Sequence, residues 1–444
     1  MLRPRTWRRR AIALLAGVGL ATGVVLSTAT DAGAQAGTTP GVTAKDITLG
    51  YISSETGVAA SASEGSANGC KARIGAENAK GGVNGRKIKL EAIDDQSANN
   101  LNNAKDLVQN RNAFIVINDS PFAFSSYRFL NDAGVPMLGG GFDGSYYFEK
   151  GNENIISAYG DGTPVAGITY DNVTNVMKKL GAKSVAAVGY GISPSSSEAA
   201  KATETFAAKA SGLKSGYLNT SVDFGTTDVA PIVLGVKNAG ADAIYMPLDT
   251  STNIAIVQGL QQNNVPMKAT VSATGYGQAL LDQPAAKTLT DHDLFQTAYK
   301  PVELGGSAVK TFQQNLKKYA GFTGVPGFGE YTGYVSCDLA IVGLQNAGKN
   351  PTRQGWVDGI RKTNGGIYDN AGLTCSPRNF SPANFGKVVT NSCLWYVSVK
   401  DGKWKVYNNG KPITGKIVGD PALIKQYESS AGTGVTTTAA PPSS

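Results

Sequence analysis

The chain has 444 residues, with 41 basic and 33 acidic side chains, one histidine and four cysteines. Some 400 residues beyond the first few dozen are too many for one ordinary core, so two lobes are expected. The first 34 residues hold five arginines and one aspartate, which leaves 36 basic and 32 acidic residues, a net of +4, for the remainder. With no basic stripe interleaved with aromatics, that charge excludes a nucleic-acid surface.

Along the chain, Arg3, Arg5, Arg8, Arg9 and Arg10 precede an apolar run over 11–26, and Ala-x-Ala-type sites follow at 32–36. This is the layout of a cleaved secretory signal peptide over 1–34. No cysteine lies near the cleavage region, so there is no lipobox, and 35–45 reads as a flexible mature N-terminus. The expected location is the periplasm or the extracellular face of the cell envelope.

From Ile47 the pattern is a βαβαβ run: an apolar strand into Glu55-Thr56-Gly57, a helix with Cys70, Ile74 and Ala76, and alternation at Ile88, Leu90 and Ala92 up to Asp94-Asp95-Gln96. A second helix carries Leu101, Ala104, Leu107 and Val108, and the continuous strand 114–117 follows. Parallel strands with helical crossovers place ligand sites at their carboxyl ends. Those ends are 53–57, 94–96 and 118–120. A second series opens with a helix from Thr163-Pro164 through Ile168, Val173, Val176 and Leu180. It continues with strands at 184–189, 243–246 and 270–271 and a helix over 252–262. CLWYVSV and KWKVYN flank Asp401-Gly402 as a hairpin, and the small, polar residues 429–444 read as a disordered tail.

Catalytic chemistry finds little to use. His292, in Thr290-Asp291-His292-Asp293, reads as a solvated turn, since adjacent residues of an extended turn cannot all face one ion. Asp94 and Asp95 point to opposite sides of a strand end, which suits a structural turn better than an acid/base pair. No Cys-x-x-Cys pair is present, and neither a cofactor nor a metal is expected. Four cysteines in an exported chain suggest two disulfides, with three pairings open. Cys375 and Cys393 share a loop-rich stretch, where a bridge closing about 18 residues would contribute roughly 3 kcal/mol in the chain-entropy picture.

ARIGAENAKGGVNGRKIKLEAIDDQS, at 72–97, resembles the opening of the branched-chain amino acid and amide substrate-binding proteins of ABC transporters, of the type I periplasmic binding protein family. DFGTTDVAPIVLGVKNAGADAIYM, at 223–246, resembles the second lobe of the same family. The resemblance implies two α/β Rossmann-like lobes with parallel sheets, joined by a multi-strand hinge. Lobe 1 would comprise 46–160 plus 300–393, and lobe 2 would comprise 161–299 plus 394–428. It implies a non-enzymatic, monomeric receptor that captures an amino acid, an amide or an apolar or aromatic compound by hinge closure and delivers it to ABC permease subunits. The alternative is a ligand-sensing protein feeding a signalling partner.

In that family the helices of Cys70 and Cys337 belong to one lobe, so these two cysteines would pair. Ser120 aligns with the serine that grips a ligand's α-carboxylate, although helix capping by Asp119 or Ser120 explains the same residues. Phe142 and Asp143 stand where relatives carry a small residue and a threonine, which fills or redirects the pocket. Thr274 stands where amino-acid binders keep an acid. The charge would then have to come from Asp143, Asp161 or Asp249. Phe122, Phe142, Tyr159, Tyr190 and Tyr276 map on or near cleft loops, and aromatic walls suit an apolar, aromatic or amide-like ligand. The leader predicts a mature chain that starts between Gln35 and Gly37 and carries no lipid; intact-mass analysis of the exported protein checks this, and a retained leader or an acyl group would refute it.

Overall fold

The computed structural model describes residues 39–141, 143–158, 167–385 and 393–425. The expected signal peptide, the tail 429–444, Phe142, Tyr159 and Asp161 lie outside the described residues. Among the described residues no helix is long and apolar enough to cross a membrane.

The first sheet takes β1 (Asp46–Ser53), β2 (Lys87–Asp94), β3 (Ile115–Asn118), β4 (Met137–Gly139) and β5 (Ile155–Ser157) in the parallel order β2-β1-β3-β4-β5. Alternation along the strands supplies two apolar faces. Ile47, Leu49, Tyr51, Ile115 and Ile117 pack on helices Ser66–Ala79, Ser307–Asn315 and Phe328–Ala347. Ile52, Val116, Met137 and Ile155 pack on the other side with Ala104, Leu107 and Leu130. The chain therefore winds over both faces of the sheet. Residues 39–45 are tied to it: Thr48 N donates to the carbonyl of Gly41, and Arg86 Nε donates to that of Thr43 at 2.7 Å.

Short β6 (Ile168–Tyr170) precedes the second sheet, which contains β7 (Ser184–Tyr190), β8 (Lys214–Val222), β9 (Ala243–Met246), β10 (Ala269–Ser272) and β11 (Asp293–Thr297). The pair β12 (Ile367–Tyr368) and β13 (Arg378–Asn379) stands apart. Antiparallel β14 (Cys393–Lys400) and β15 (Lys403–Val406) then extend the sheet to the order β15-β14-β11-β10-β9-β7-β8. The turn between these two strands is Asp401-Gly402, with φ of 52° and 69°, the twin positive values that a two-residue hairpin turn requires. Val173, Val176 and Met177 cover one face of this sheet, and Ile232, Val236, Ile256 and Val257 cover the other.

One expectation is corrected here. Ile168 does not belong to the helix that holds Val173 and Val176. It lies in β6, which pairs antiparallel with β17 (Ile417–Gly419), a strand that follows β16 (Ile413–Thr414). The helix begins only at Asn172, because Asp171 is held by the C-terminal segment: its amide donates to Lys416 O, and its carboxylate accepts from Lys416 N at 2.7 Å.

The tightest packing in the first lobe is between helices Ser66–Ala79 and Phe328–Ala347, where glycines let backbone meet backbone. A Cβ on Gly333 would lie 1.8 Å from Ser66 O, and one on Gly69 would lie 2.1 Å from Glu330 O. The same two helices are joined by the Cys70–Cys337 disulfide and by Arg73, whose guanidinium reaches Asp338 at 2.5 Å and Glu77 at 3.0 Å. A second disulfide joins Cys375 to Cys393. Gly333→Ala is expected to lower stability by roughly 2–3 kcal/mol through overpacking, read as a lower urea midpoint followed by circular dichroism. An unchanged midpoint would refute the backbone contact.

Candidate ligand-binding cleft

The carboxyl ends of both parallel sheets face each other, and direct contacts cross between them. Ser61, on the short helix Ala60–Ser63 after β1, donates its hydroxyl to Asp249 Oδ1 at 2.7 Å. Thr250 Oγ1 lies 3.5 Å from Ser61 O. The ring of Phe122 from the first lobe tilts against that of Phe224 from the second, with centroids 5.9 Å apart. Val58, 60% exposed, sits over Gly225, where an added Cβ would come within 3.2 Å of it.

In the first lobe, the strand ends are knit by hydroxyls and amides around buried acids. Asp95 accepts from Ser54 Oγ at 2.6 Å, Ser120 Oγ at 2.5 Å, Asn100 Nδ2 at 2.9 Å and Ser97 N at 2.9 Å. Ser120, fully buried, in turn accepts from Phe122 N at 3.0 Å. Asp94 faces the other way and accepts from Thr56 Oγ1 and from the amides of Glu55, Thr56 and Gln96. Burial pushes its carboxyl up, but these donors outweigh that and hold it below the usual range. Glu55 takes the amides of Gly65 and Ala67 at the start of helix Ser66–Ala79.

Asp119 has fewer donors. Tyr51 OH at 2.8 Å and Ser336 Oγ at 3.0 Å are its partners, and burial pushes its carboxyl up to about 7 against their lowering effect. Asp143 is likewise buried, is bonded to Tyr146 OH at 2.7 Å and is pushed up to about 7 by burial.

In the second lobe, Asp249 is the N-cap of helix Thr250–Gln262 and is 3% exposed. It accepts from the amides of Ser251 and Thr252, from Thr252 Oγ1 at 2.7 Å, from Tyr190 OH and from Ser61. Tyr190 also accepts from Asp249 N at 3.2 Å, and its ring stacks on Phe224 with centroids 4.2 Å apart. Burial and the neighbouring Asp249 both raise the phenol of Tyr190. Thr274 donates to Leu248 O at 2.8 Å and lies 3.4 Å from both Asn253 Nδ2 and Thr250 Oγ1. Tyr276 turns away to the crossing between the lobes. Its hydroxyl donates to Glu303 at 2.7 Å and accepts from Val302 N, and its ring packs on Trp404.

The structure thus brings Phe122, Tyr190, Asp249 and Thr274 to facing rims, sets Ser120 and Asp143 beneath the first lobe's surface and puts Tyr276 in the crossing. Two residues at the rim escaped the sequence reading. Phe224 follows the end of β8 by two positions, where the strand-end rule points to it. Ser61 carries no sequence signal, because its role exists only when Asp249 arrives from 188 residues away. His292 lies on an exposed turn, where its carbonyl accepts from Thr270 N.

Comparison with known proteins agrees with this fold. The chain is 29% identical over 327 residues to Leu/Ile/Val-binding protein homolog 7 of Brucella abortus (strain 2308), covering 70% of this chain and 79% of that protein. Among solved structures it resembles a fatty acid ABC transporter substrate-binding protein from Thermomonospora curvata, with a TM-score of 0.68 and 20% identity over 88% of this chain and 96% of that one. It also resembles the branched-chain amino acid transporter substrate-binding protein LivJ from Streptococcus pneumoniae in complex with isoleucine, with a TM-score of 0.63 and 17% identity over 83% of this chain and all of that one. A solute-binding protein from R. palustris in complex with 4-hydroxybenzoate gives a TM-score of 0.65 at 19% identity over 86% of this chain and all of that one. These structures share its fold of two doubly wound lobes. The periplasmic binding protein family matches residues 46–403, and the chain belongs to that family.

Proposed function

We propose that this protein is an exported receptor that captures a small molecule between its two lobes by hinge closure and delivers it to the permease subunits of an ABC transporter. The observation that carries this reading is the meeting of the two sets of strand ends, bonded across the gap by Ser61 and Asp249 at 2.7 Å. A ligand held by both rims stabilises the closed form over an open one, and that difference is what a docking partner reads. Family membership and the transporter proteins among its relatives support the same role.

On this reading, lobe 1 is 46–160 plus 300–393 and lobe 2 is 161–299 plus 394–428, and the protein acts as a monomer released from its leader. It is a carrier rather than a catalyst, with its single histidine on an exposed turn at the amino-terminal end of β11 rather than at the carboxyl ends that face the cleft. The relatives' ligands, isoleucine and 4-hydroxybenzoate, mark the range of compounds to be considered: amino acids, amides and apolar or aromatic molecules. Mass spectrometry of small molecules that co-purify with the mature protein tests the assignment. A protein that carries nothing and closes on nothing would refute it.

Leucine, isoleucine and valine are expected to bind weakly or not at all. Thr274 offers no charge to an ammonium, and Asp249 is already committed to five donors. A zwitterion closed into the cleft would have to share acids that already have their donors, and it is costly to desolvate. Calorimetry giving micromolar affinity for any of the three would count against this. Ser61→Ala removes the bond between the lobes, and a hydrogen bond to a charged group contributes about 1.5–3 kcal/mol. The open form should therefore gain about tenfold or more, visible as a larger radius of gyration in small-angle scattering. An unchanged radius would mean that the bond does not hold the lobes together.

A further inference from the structure

A carboxylate drawn into a closed cleft needs a cation or free hydrogen-bond donors where its oxygens land. Residues 53–63, 94–97, 118–126, 190–197, 222–227, 247–253 and 272–277, seven of the loops at the strand ends, contain no lysine or arginine; the segment after β11 carries Lys300. Those seven loops do contain Glu55, Asp94, Asp95, Asp119, Asp223 and Asp249, so an incoming anion meets like charge.

Several of the neutral donors that would compensate are engaged elsewhere, while the Ser272 hydroxyl at the end of β10 has no partner. Ser120 gives its hydroxyl proton to Asp95, and the amide of Phe122 is given back to Ser120. Ser54 also donates to Asp95, and Tyr190 donates to Asp249. On the first lobe's rim the position that grips a ligand carboxylate in amino-acid binders is closed by the protein's own acid.

What the rims leave available is chiefly aromatic. Phe124 is 37% exposed, and its ring lies 6.1 Å from that of the half-buried Phe122. Phe122 meets Phe224 at 5.9 Å across the lobes, and Phe224 stacks on Tyr190 at 4.2 Å. This row of four rings runs from one lobe to the other, and Phe224 is the link without which it breaks.

We propose that Phe224 is a specificity-determining residue of the cleft, and that the ligand is an uncharged molecule with an apolar, ring-bearing body, such as an aromatic amide, and carries no carboxylate. The inference rests on the receptor reading above and narrows it. It sets this chain apart from relatives of the same fold whose solved complexes hold isoleucine or 4-hydroxybenzoate. Ring faces and edges reward an aromatic partner beyond the area it buries, while each anion brought to these loops leaves water for a field of carboxylates.

The test uses the mature protein with benzamide and benzoate, which share a ring and a planar head group and differ in charge. Calorimetry at neutral pH is expected to give benzamide about tenfold or more tighter binding than benzoate. Phe224→Ala should weaken benzamide by about tenfold while circular dichroism shows the fold intact, and Phe224→Tyr should restore it. Benzoate binding as tightly as benzamide, neither probe binding, or Phe224→Ala leaving benzamide affinity intact would overturn the proposal. A carboxylic acid identified as the co-purifying molecule would also overturn it while leaving the receptor role standing. The receptor role itself falls only if the protein carries no small molecule and no compound closes its lobes in scattering.

Discussion

A carboxylate taken out of water has to be given donors, and the strand ends of this protein place several of them where water is scarce. Asp95, Asp119 and Asp249 are all at most 3% exposed, and the surrounding hydroxyls and amides are arranged to meet them. Asp95 draws in three side chains and an amide, and Asp249 draws in two amides, Thr252, Tyr190 and Ser61. Asp119 receives only two donors, and its carboxyl is pushed up to about 7 by burial. Hydrogen bonds to charged groups contribute about 1.5–3 kcal/mol each, so these acids fix the loops that carry them. They also take up the hydroxyls that would otherwise be free to bind a solute.

The same bonds join the two lobes. Asp249 first serves its own helix as an N-cap, a local role, and then reaches Ser61 across the gap. Behind the cleft, the apolar core of the first lobe runs through Tyr276, Phe295 and Trp404 into the crossing, so the hinge is packed rather than loose. Trp404 Nε1 donates to Gly277 O at 3.1 Å, which ties the β14–β15 hairpin to the end of the loop that carries Thr274. The first lobe can serve as a rigid partner because its principal helix pair meets backbone to backbone at Gly69 and Gly333 and is closed by the Cys70–Cys337 disulfide. Rigid lobes and a compact crossing suit a motion of two bodies about a few residues.

Local patterns carried much of this fold. The alternation at Ile88, Leu90 and Ala92, the continuous 114–117 run and the Asp401-Gly402 turn are properties of neighbouring residues, and each lies in the element its pattern indicates. The failure at Ile168 has the same logic in reverse. Its spacing to Val173 and Val176 is helical, but its partner strand, Ile417–Gly419, comes from about 250 residues further on, and no window around Ile168 contains it.

For the cleft, the sequence by itself determined which loops would gather at the facing edges of the two sheets, because parallel strands with helical crossovers expose their carboxyl ends at that edge. It also determined the scarcity of basic residues there and the presence of aromatic ones. The tertiary structure decided which of those residues remain free. Ser120 reads as a receptor for an anion until Asp95, 25 positions earlier, takes its proton. Asp249 reads as a counter-charge for an ammonium until Tyr190 and Ser61 arrive from 59 and 188 residues away. Phe224 is only a residue just past a strand end until Tyr190 and Phe122 close on either side of it. The reason is physical: a residue's type is local, but whether its hydrogen-bonding capacity is already satisfied depends on groups that only folding brings within 3 Å.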